Sequence, residues 1–436
     1  MIRYIGIDLH KRLLVACILD SEGKVLAELR LEEVSRRSVE GFCRLHLKSE
    51  DVVVMEATTH VWAVVRLIRP YVARVVVSNP VATKAIAQAK IKTDKVDAHV
   101  LAQLLRLDFL PTVWAPDEEL SKLRELTARR SRLVQDRTKL INRIRSCLAM
   151  RLLDCPFGLT EKSGREWLER IQLDEDGRAL VDSDLRLIDA VQAEIAGLDQ
   201  RLARRVYQDE RVKLLMTLPG VSQQVAQAVV AAVGDIQRFR SPEKLAAYLG
   251  LVPSTRQSAS RCYHGGITKA GRIQARWALV QAGHCARLDP GPLGHFFHKL
   301  KRRKCHNVAV VGVARKLAML AWHILTSGKP YRYAKPSSVE GKLSKLRVAG
   351  SGKRRASGVT KGTDPRRMRP KEDQNFRRTP CLASVLEKEG LPIPTAPADA
   401  ELRVLDQTGT RNFFQSLQEP SKRPKAIRKK TSNDST

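Results

Sequence analysis

The strongest constraint on the fold is an alternation, over the first hundred or so residues, of short β-branched runs with helical stretches. Arg3 to Ile7, Leu13 to Asp20 and Lys24 to Arg30 read as three successive strands, with turn chemistry at Ser21-Glu22-Gly23 between the second and third. A helix is expected over Ser35 to Leu47, then a short buried strand at Val52 to Met55. A second helix from about Thr59 leads to a strand at Val72 to Val77, and Val81 to Arg106 reads as one helical stretch. That order dictates a mixed α/β domain in which helices cover a sheet.

The rest of the chain reads as α-helical. From Asp117 to about Arg151, and again from Asp182 to Arg211, apolar residues recur every three or four positions among many charges, the pattern of long amphipathic helices able to pair as a coiled coil. Cys155-Pro156-Phe157-Gly158 breaks the pattern between them. A compact, mostly helical region follows from Val212 to Arg332. Beyond Lys335, Pro, Ser, Gly, Lys and Arg accumulate and periodicity is lost, so the tail with its basic doublets (Arg354-Arg355, Arg366-Arg367, Arg377-Arg378, Lys429-Lys430) is expected to be mostly disordered. The chain therefore divides into 1–115, 116–211, 212–332 and 333–436, an α/β domain followed by all-α parts.

Charge narrows the class of partner. Lys and Arg number 78 against 46 Asp and Glu, a formal net charge of +32 with a pI near 10.2. Such an excess points to a polyanion, above all nucleic acid. A membrane is not expected, because no stretch reads as a spanning helix and the N-terminus carries an Asp in its first apolar run; an intracellular, soluble protein is the expectation. The eight cysteines show no CxxC pair, so neither a zinc site nor a disulfide framework is expected.

Against that basic background four carboxylates stand out. Asp8 ends the first strand, Glu56 directly follows the Val52 to Met55 strand, and Asp94 and Asp97 are spaced i,i+3 on one helix face. If the two strands are neighbours and the helix packs beside them, all four converge. Like charges so close raise one another's pKa, and a hard divalent cation such as Mg²⁺ or Mn²⁺ relieves them. Paired ions about 4 Å apart suit phosphodiester cleavage, as in ribonuclease-H-like nucleases. Taken singly, each carboxylate is more ordinarily a turn, cap or surface residue. His10 and Lys11 beside them are candidates to touch phosphate, with a plain strand-end pair as an equal alternative.

Two motifs mark the second region. Leu218-Pro219-Gly220-Val221-Ser222 opens an Ala/Val-rich helix, resembles a helix-hairpin-helix, and is expected to offer backbone N–H groups to a phosphate; an ordinary helix corner fits about as well. After Leu245 to Pro253 comes a polar loop, Ser254 to Arg261, in which serines lie among arginines, followed by His264 to Arg272. Composition alone makes it a solvated phosphate-contacting loop, although a hydroxyl nucleophile with cationic support would look the same.

Together these segments resemble a known family. Gly6-Ile7-Asp8-Leu9-His10-Lys11, Glu56-Ala57-Thr58, Asn79-Pro80 and Lys92 to Ala98 are similar to the DEDD-motif transposases of bacterial insertion sequences. Leu218 to Val221, Phe239, Leu245 to Pro253 and Gly266 to Gly271 are similar to that family's second domain, and the resemblance runs from Met1 to about Ser327. It implies a RuvC-like, ribonuclease-H-fold domain, a coiled-coil linker used in oligomerisation to a dimer or tetramer, and a helical transposase domain. It further implies a bacterial cytoplasmic recombinase acting on target and donor DNA, guided by a bridge RNA. Asp8, Glu56, Asp94 and Asp97 take the metal places, and a serine attacks DNA to form a phosphoserine link. The serine place falls on Ser258, where Ala259 departs from the usual Ser-Gly and Ser260 competes. Lys11, Lys92, Lys95, Arg256, Arg261, Lys269 and Arg272 are the candidate nucleic-acid contacts. Site-specific invertases of pilin genes are similar too. A Holliday-junction-type nuclease without a serine step, and a non-catalytic binding protein, are the competing classes.

Overall fold

The computed structural model describes residues 2–86, 93–258, 261–352, 376–419 and 421–424, and these divide into two compact units, 1–117 and 118–436. The expected parts 116–211, 212–332 and 333–436 thus contribute to a single unit. Each unit is described by itself.

In the first unit a five-stranded sheet has the order β3-β2-β1-β4-β5, from β1 (Tyr4–Leu9), β2 (Leu14–Leu19), β3 (Val25–Leu31), β4 (Val52–Glu56) and β5 (Arg74–Ser78). The first three form an antiparallel meander, while β4 and β5 add in parallel, each after a helical crossover. Strand alternation sorts the side chains. Ile5, Ile7 and Leu9 of β1 with Val53 and Met55 of β4 bury one face under α1 (Arg36–His46) and α2 (Val61–Ile68). The other face carries α4 (Asp94–Arg106), whose Ala98 and Ala102 pack on Val15, Cys17 and Leu19 while Leu101 and Leu105 meet Val54. The continuous helix expected from Val81 to Arg106 is not formed: α3 (Pro80–Ile86) is separate, and Thr93, in extended conformation, caps α4 by accepting from the Val96 N–H. A threonine hydroxyl competing for backbone N–H groups starts a helix more readily than it continues one.

The second unit opens with two 32-residue helices, α5 (Glu118–Ala149) and α7 (Glu175–Val206), joined through α6 (Lys162–Arg170). They run antiparallel, as the pairs Arg130–Asp199, Arg143–Asp184 and Arg151–Asp174 require. Buried residues recur every seven positions, at Leu133, Leu140 and Cys147 and at Val181, Ile188, Ile195 and Leu202. The second helix begins seven residues before the expected Asp182, where Asp174 caps it. Next come α8 (Glu210–Leu215), α9 (Gln223–Val233) and α10 (Pro242–Tyr248), then α11 (Ile273–Ala286), α12 (Pro292–Lys301) and α13 (His306–Ser327). Helix α9 is buried from Val225 to its end, and its last carbonyls are satisfied by Arg124 Nε on Ala231, Arg238 Nε on Val233 and the Tyr248 hydroxyl on Ala232. By length and composition alone α13 could cross a membrane, but its Ala309, Val310, Val313, Ala314, Leu317 and Ala318 form part of this unit's core.

Two local features add to the sequence reading. The Leu218 to Val221 turn joins two helices, as expected, with Pro219 and Gly220 half-buried and the turn packed on α11. Gly220 has φ +74°, a Cβ there would lie 2.2 Å from the Ala282 carbonyl oxygen, and Lys342 Nζ donates to the carbonyls of Leu218 (2.9 Å) and Val221 (3.1 Å). The tail is not wholly disordered. It contains α14 (Pro336–Ser351), which buries Val339, Leu343 and Leu346, and helices Leu382–Lys388, Asp399–Gln407 and Arg411–Gln418. Tail-wide composition hid an apolar stripe at four- and three-residue spacing. Arg354-Arg355, Arg366-Arg367 and Lys429-Lys430 lie outside the described residues.

Candidate active site

The carboxyl ends of β1 and β4 form the acidic edge of the first unit. In the parallel register Ile7 pairs with Met55, so Asp8 and Glu56 stand on the next rung. Both belong to the sheet face that packs on α4, because Gly6 and Val54, two residues before each, meet that helix. Gly6 permits the approach: a Cβ there would lie 2.1 Å from the Ala98 carbonyl oxygen and 2.5 Å from the Ala102 nitrogen. The first turn of α4 then brings Asp94 and Asp97 towards Asp8.

The electrostatics fit that convergence. The Asp8 carboxyl is pushed above its ordinary pKa by burial first; the negative charges of Asp94 and Asp97 add to the rise and His10 opposes it. His10 Nε2 lies between two carboxylates, 3.1 Å from Asp8 Oδ2 and 3.3 Å from Asp94 Oδ1. Ligand atoms of Asp8, His10 and Asp94 are all within 4.8 Å of one another. A donor set of hard carboxylate oxygens with one imidazole, in which a buried acid is already strained by its like-charged neighbours, fits a divalent cation such as Mg²⁺ or Mn²⁺.

Among the basic candidates, Lys11 is exposed beside His10. Lys95 is exposed, its Nζ 2.9 Å from Glu28 Oε2 on β3 in a surface ion pair. Lys92 lies outside the described residues.

Ser258 belongs to the second unit. The polar loop expected around it is instead a two-stranded antiparallel hairpin, β6 (Pro253–Ser258) and β7 (Arg261–Ile267), exposed along nearly its whole length. Thr and Tyr favour strands, and cross-strand pairs such as Thr255 Oγ1 with His264 Nδ1 at 3.0 Å hold the ladder. Ser258 pairs with Arg261 and Arg256 with Tyr263, so alternation puts these four on one face and Thr255, Gln257, Cys262 and His264 on the other. Ser260 lies outside the described residues. Lys269 is exposed at φ +55°, and Arg272 precedes α11.

Sequence reasoning missed Gly6 as the residue that lets α4 down onto the sheet, and a glycine inside a strand was the available signal. It also missed the bridging position of His10 between Asp8 and Asp94.

Two family models match the chain: a DEDD transposase model over residues 5–150 and the IS116/IS110/IS902 transposase family over residues 212–293. A Sinorhizobium fredii protein described as a transposase is 30% identical over 305 residues, covering 65% of this chain and 75% of that protein. The chain belongs to the IS110 family of transposases. The transposase for insertion sequence element IS1111A of Coxiella burnetii is 26% identical over 347 residues, 76% of this chain and 92% of the relative. The pilin gene-inverting protein of Moraxella bovis is 24% identical over 270 residues, 59% and 74% of the two chains. Membership brings with it DNA cleavage and strand transfer, and the DEDD domain implies dependence on a divalent metal. The mixed sheet of the first unit is consistent with a ribonuclease-H-like fold.

Proposed function

We propose that this IS110-family transposase cuts and rejoins DNA through two groups of residues. Asp8, Glu56, Asp94 and Asp97 of a RuvC-like domain would hold Mg²⁺, with Mn²⁺ as substitute, and Ser258 would be the nucleophile. The observation that carries the reading is the pair of aligned strand ends, Asp8 and Glu56 on one rung, with the first turn of α4 beside them. When bound, the cation neutralises charge at the phosphodiester and lowers the pKa of an attacking or leaving oxygen.

The chain's own groups do the rest. The acidic residues would fix the cation's position, with half-buried Asp8 at the base of the cluster and Asp94 at its exposed side. His10 Nε2, 3.1 Å from Asp8 Oδ2 and 3.3 Å from Asp94 Oδ1, would orient these two carboxylates towards the cation. On the hairpin, Arg256 and Arg261 flank Ser258 on one face, where their guanidinium groups neutralise a phosphate under attack by the hydroxyl and stabilise the charge that develops. Attack by Ser258 Oγ makes a phosphoserine bond and expels a 3′ or 5′ oxygen, which takes up the proton that Ser258 loses. Guidance by a bridge RNA, the coiled-coil role of the α5–α7 pair in dimer or tetramer formation, and a cytoplasmic setting complete the reading. They rest on family resemblance and on the seven-residue repeat of buried positions. Site-specific inversion is a second reading, favoured by the likeness to the pilin gene-inverting protein.

The test is an adduct assay with end-labelled cognate DNA, the element's RNA and Mg²⁺. Label should remain on the denatured protein, vanish with Ser258→Ala and Asp8→Ala, and persist with Ser260→Ala. Cleavage without an adduct, still abolished by Asp8→Ala, would leave a metal-dependent nuclease and remove the serine step.

A further inference from the structure

The acidic edge is not the end of the first unit's concave surface. A cleft of about 1150 Å³ opens on the opposite face of the sheet from α4, between α1 and α2, and shares His10 with the acidic cluster. Its floor is apolar, with Leu9, Val39, Val64 and Leu67. Its walls carry the hydroxyls of Ser35, Thr58 and Thr59, and Lys11, Arg36 and Arg66 are its charged residues; no carboxylate lines it. The Arg36 guanidinium is paired with Glu40, whereas Lys11 and Arg66 are exposed at the mouth. His60 Nε2 lies 3.1 Å from the His10 carbonyl oxygen, tying the far wall to the loop that carries the acidic edge.

Small-molecule pockets occupy about 300–1,000 Å³ and surround their ligand. This cleft is larger, meets the acidic cluster at His10 and has no lining carboxylate, which suits a polyanionic chain with apolar faces. We propose that it binds unpaired DNA: the nucleotides next to the scissile phosphate leave the acidic edge over His10 and enter the cleft. A base rests on half-buried Leu67 and exposed Ala63, and the next phosphates meet Lys11 and Arg66. This is how single strands are held elsewhere, by a cationic track with apolar platforms for the bases. The inference rests on the reading that the acidic edge holds that phosphate. The cleft's volume, its charge and the shared His10 are what favour the substrate strand as its occupant.

The test uses the full chain, a single-stranded oligodeoxynucleotide carrying 2-aminopurine, and Ca²⁺ in place of Mg²⁺ so that nothing is cut. Ala63 is exposed on α2 and lines the cleft, so Ala63→Trp fills it without entering the core, while Ala63→Ser leaves it open. Circular dichroism and urea unfolding establish that both variants fold. Ala63→Trp should weaken binding on the order of tenfold, the loss of one stacked base, and abolish the 2-aminopurine response, with Ala63→Ser unchanged. Terbium luminescence follows the acidic edge separately; it should persist in Ala63→Trp and vanish in Asp8→Ala. Wild-type affinity and response in folded Ala63→Trp would overturn the proposal, as would an RNA oligonucleotide of the same sequence displacing the DNA. Terbium binding that survives Asp8→Ala would overturn the acidic-edge reading on which the strand's path depends, while the Ala63 comparison would still decide whether the cleft binds DNA.

Discussion

Gly6→Ala should separate the carboxylates without touching one of them. The added Cβ would sit 2.1 Å from the Ala98 carbonyl oxygen, where ordinary contact begins near 3.4 Å, and the clash is with helix backbone and not with a movable side-chain end. Helix α4 must therefore lift by on the order of 1 Å, since close-packed interiors offer no slack. Such overpacking costs about 1–3 kcal/mol of stability. Asp94 and Asp97 ride on the lifted helix while Asp8 stays in the sheet. Misplacement of about 1 Å at a reacting centre costs on the order of a hundredfold in rate. Gly41→Ala is the matched control: it lies inside α1, a Cβ there meets nothing within 4 Å, and the change should stabilise by about 0.5–1 kcal/mol. Urea unfolding, Mn²⁺ titration and strand cleavage would be measured on both. Gly6→Ala should unfold at lower urea, bind Mn²⁺ more weakly and cleave about a hundredfold more slowly at a temperature where it is fully folded. If it instead binds Mn²⁺ and cleaves like the wild type, the close approach of α4 does not set the site.

Other variants probe separate features. In metal-free solution at pH 7, Asp8→Asn should melt higher than the wild type. The native pKa of Asp8 is raised, so its ionised form opposes folding, and the gap should close as pH falls towards 3.8; added Mn²⁺ should reverse the order by stabilising only the wild type. Burial lowers the Lys342 pKa to about 8, so between about pH 8 and 10.4 the unfolded chain holds more protons and wild-type stability should rise with pH. Against Lys342→Met, the wild-type urea midpoint should gain over that window and stay level below pH 8. Arg124→Met strips the Ala231 and Ala232 carbonyls of a buried charged donor and should cost about 1.5–3 kcal/mol in urea unfolding.

Much of the first unit was legible because strands and helices there differ in period, and each short run could be assigned before any contact was known. The acidic residues were legible for a related reason. A carboxylate that directly follows a buried β-branched strand has one place to be, and parallel pairing of β1 with β4 then aligns Asp8 with Glu56. What could not be read was whatever depends on a contact distant in sequence. Nothing near Gly6 names Ala98, and nothing near Leu218 names Lys342, yet the first contact lets α4 reach the sheet and the second ties the Leu218 to Val221 turn to α14. The tail misled because composition averages over faces: Val339, Leu343 and Leu346 are few among many charges but lie on one stripe of α14. The same averaging applies to the basic residues. A net charge of +32 points to a polyanion but cannot rank lysines, and Lys95, adjacent in sequence to Asp94, pairs at the surface with Glu28. Exposed cations that share a face with the proposed nucleophile therefore deserve more weight than those merely close to a site residue in sequence. By that measure Arg256 and Arg261 beside Ser258 outrank Lys95, and replacing either arginine should slow adduct formation more than Lys95→Ala does.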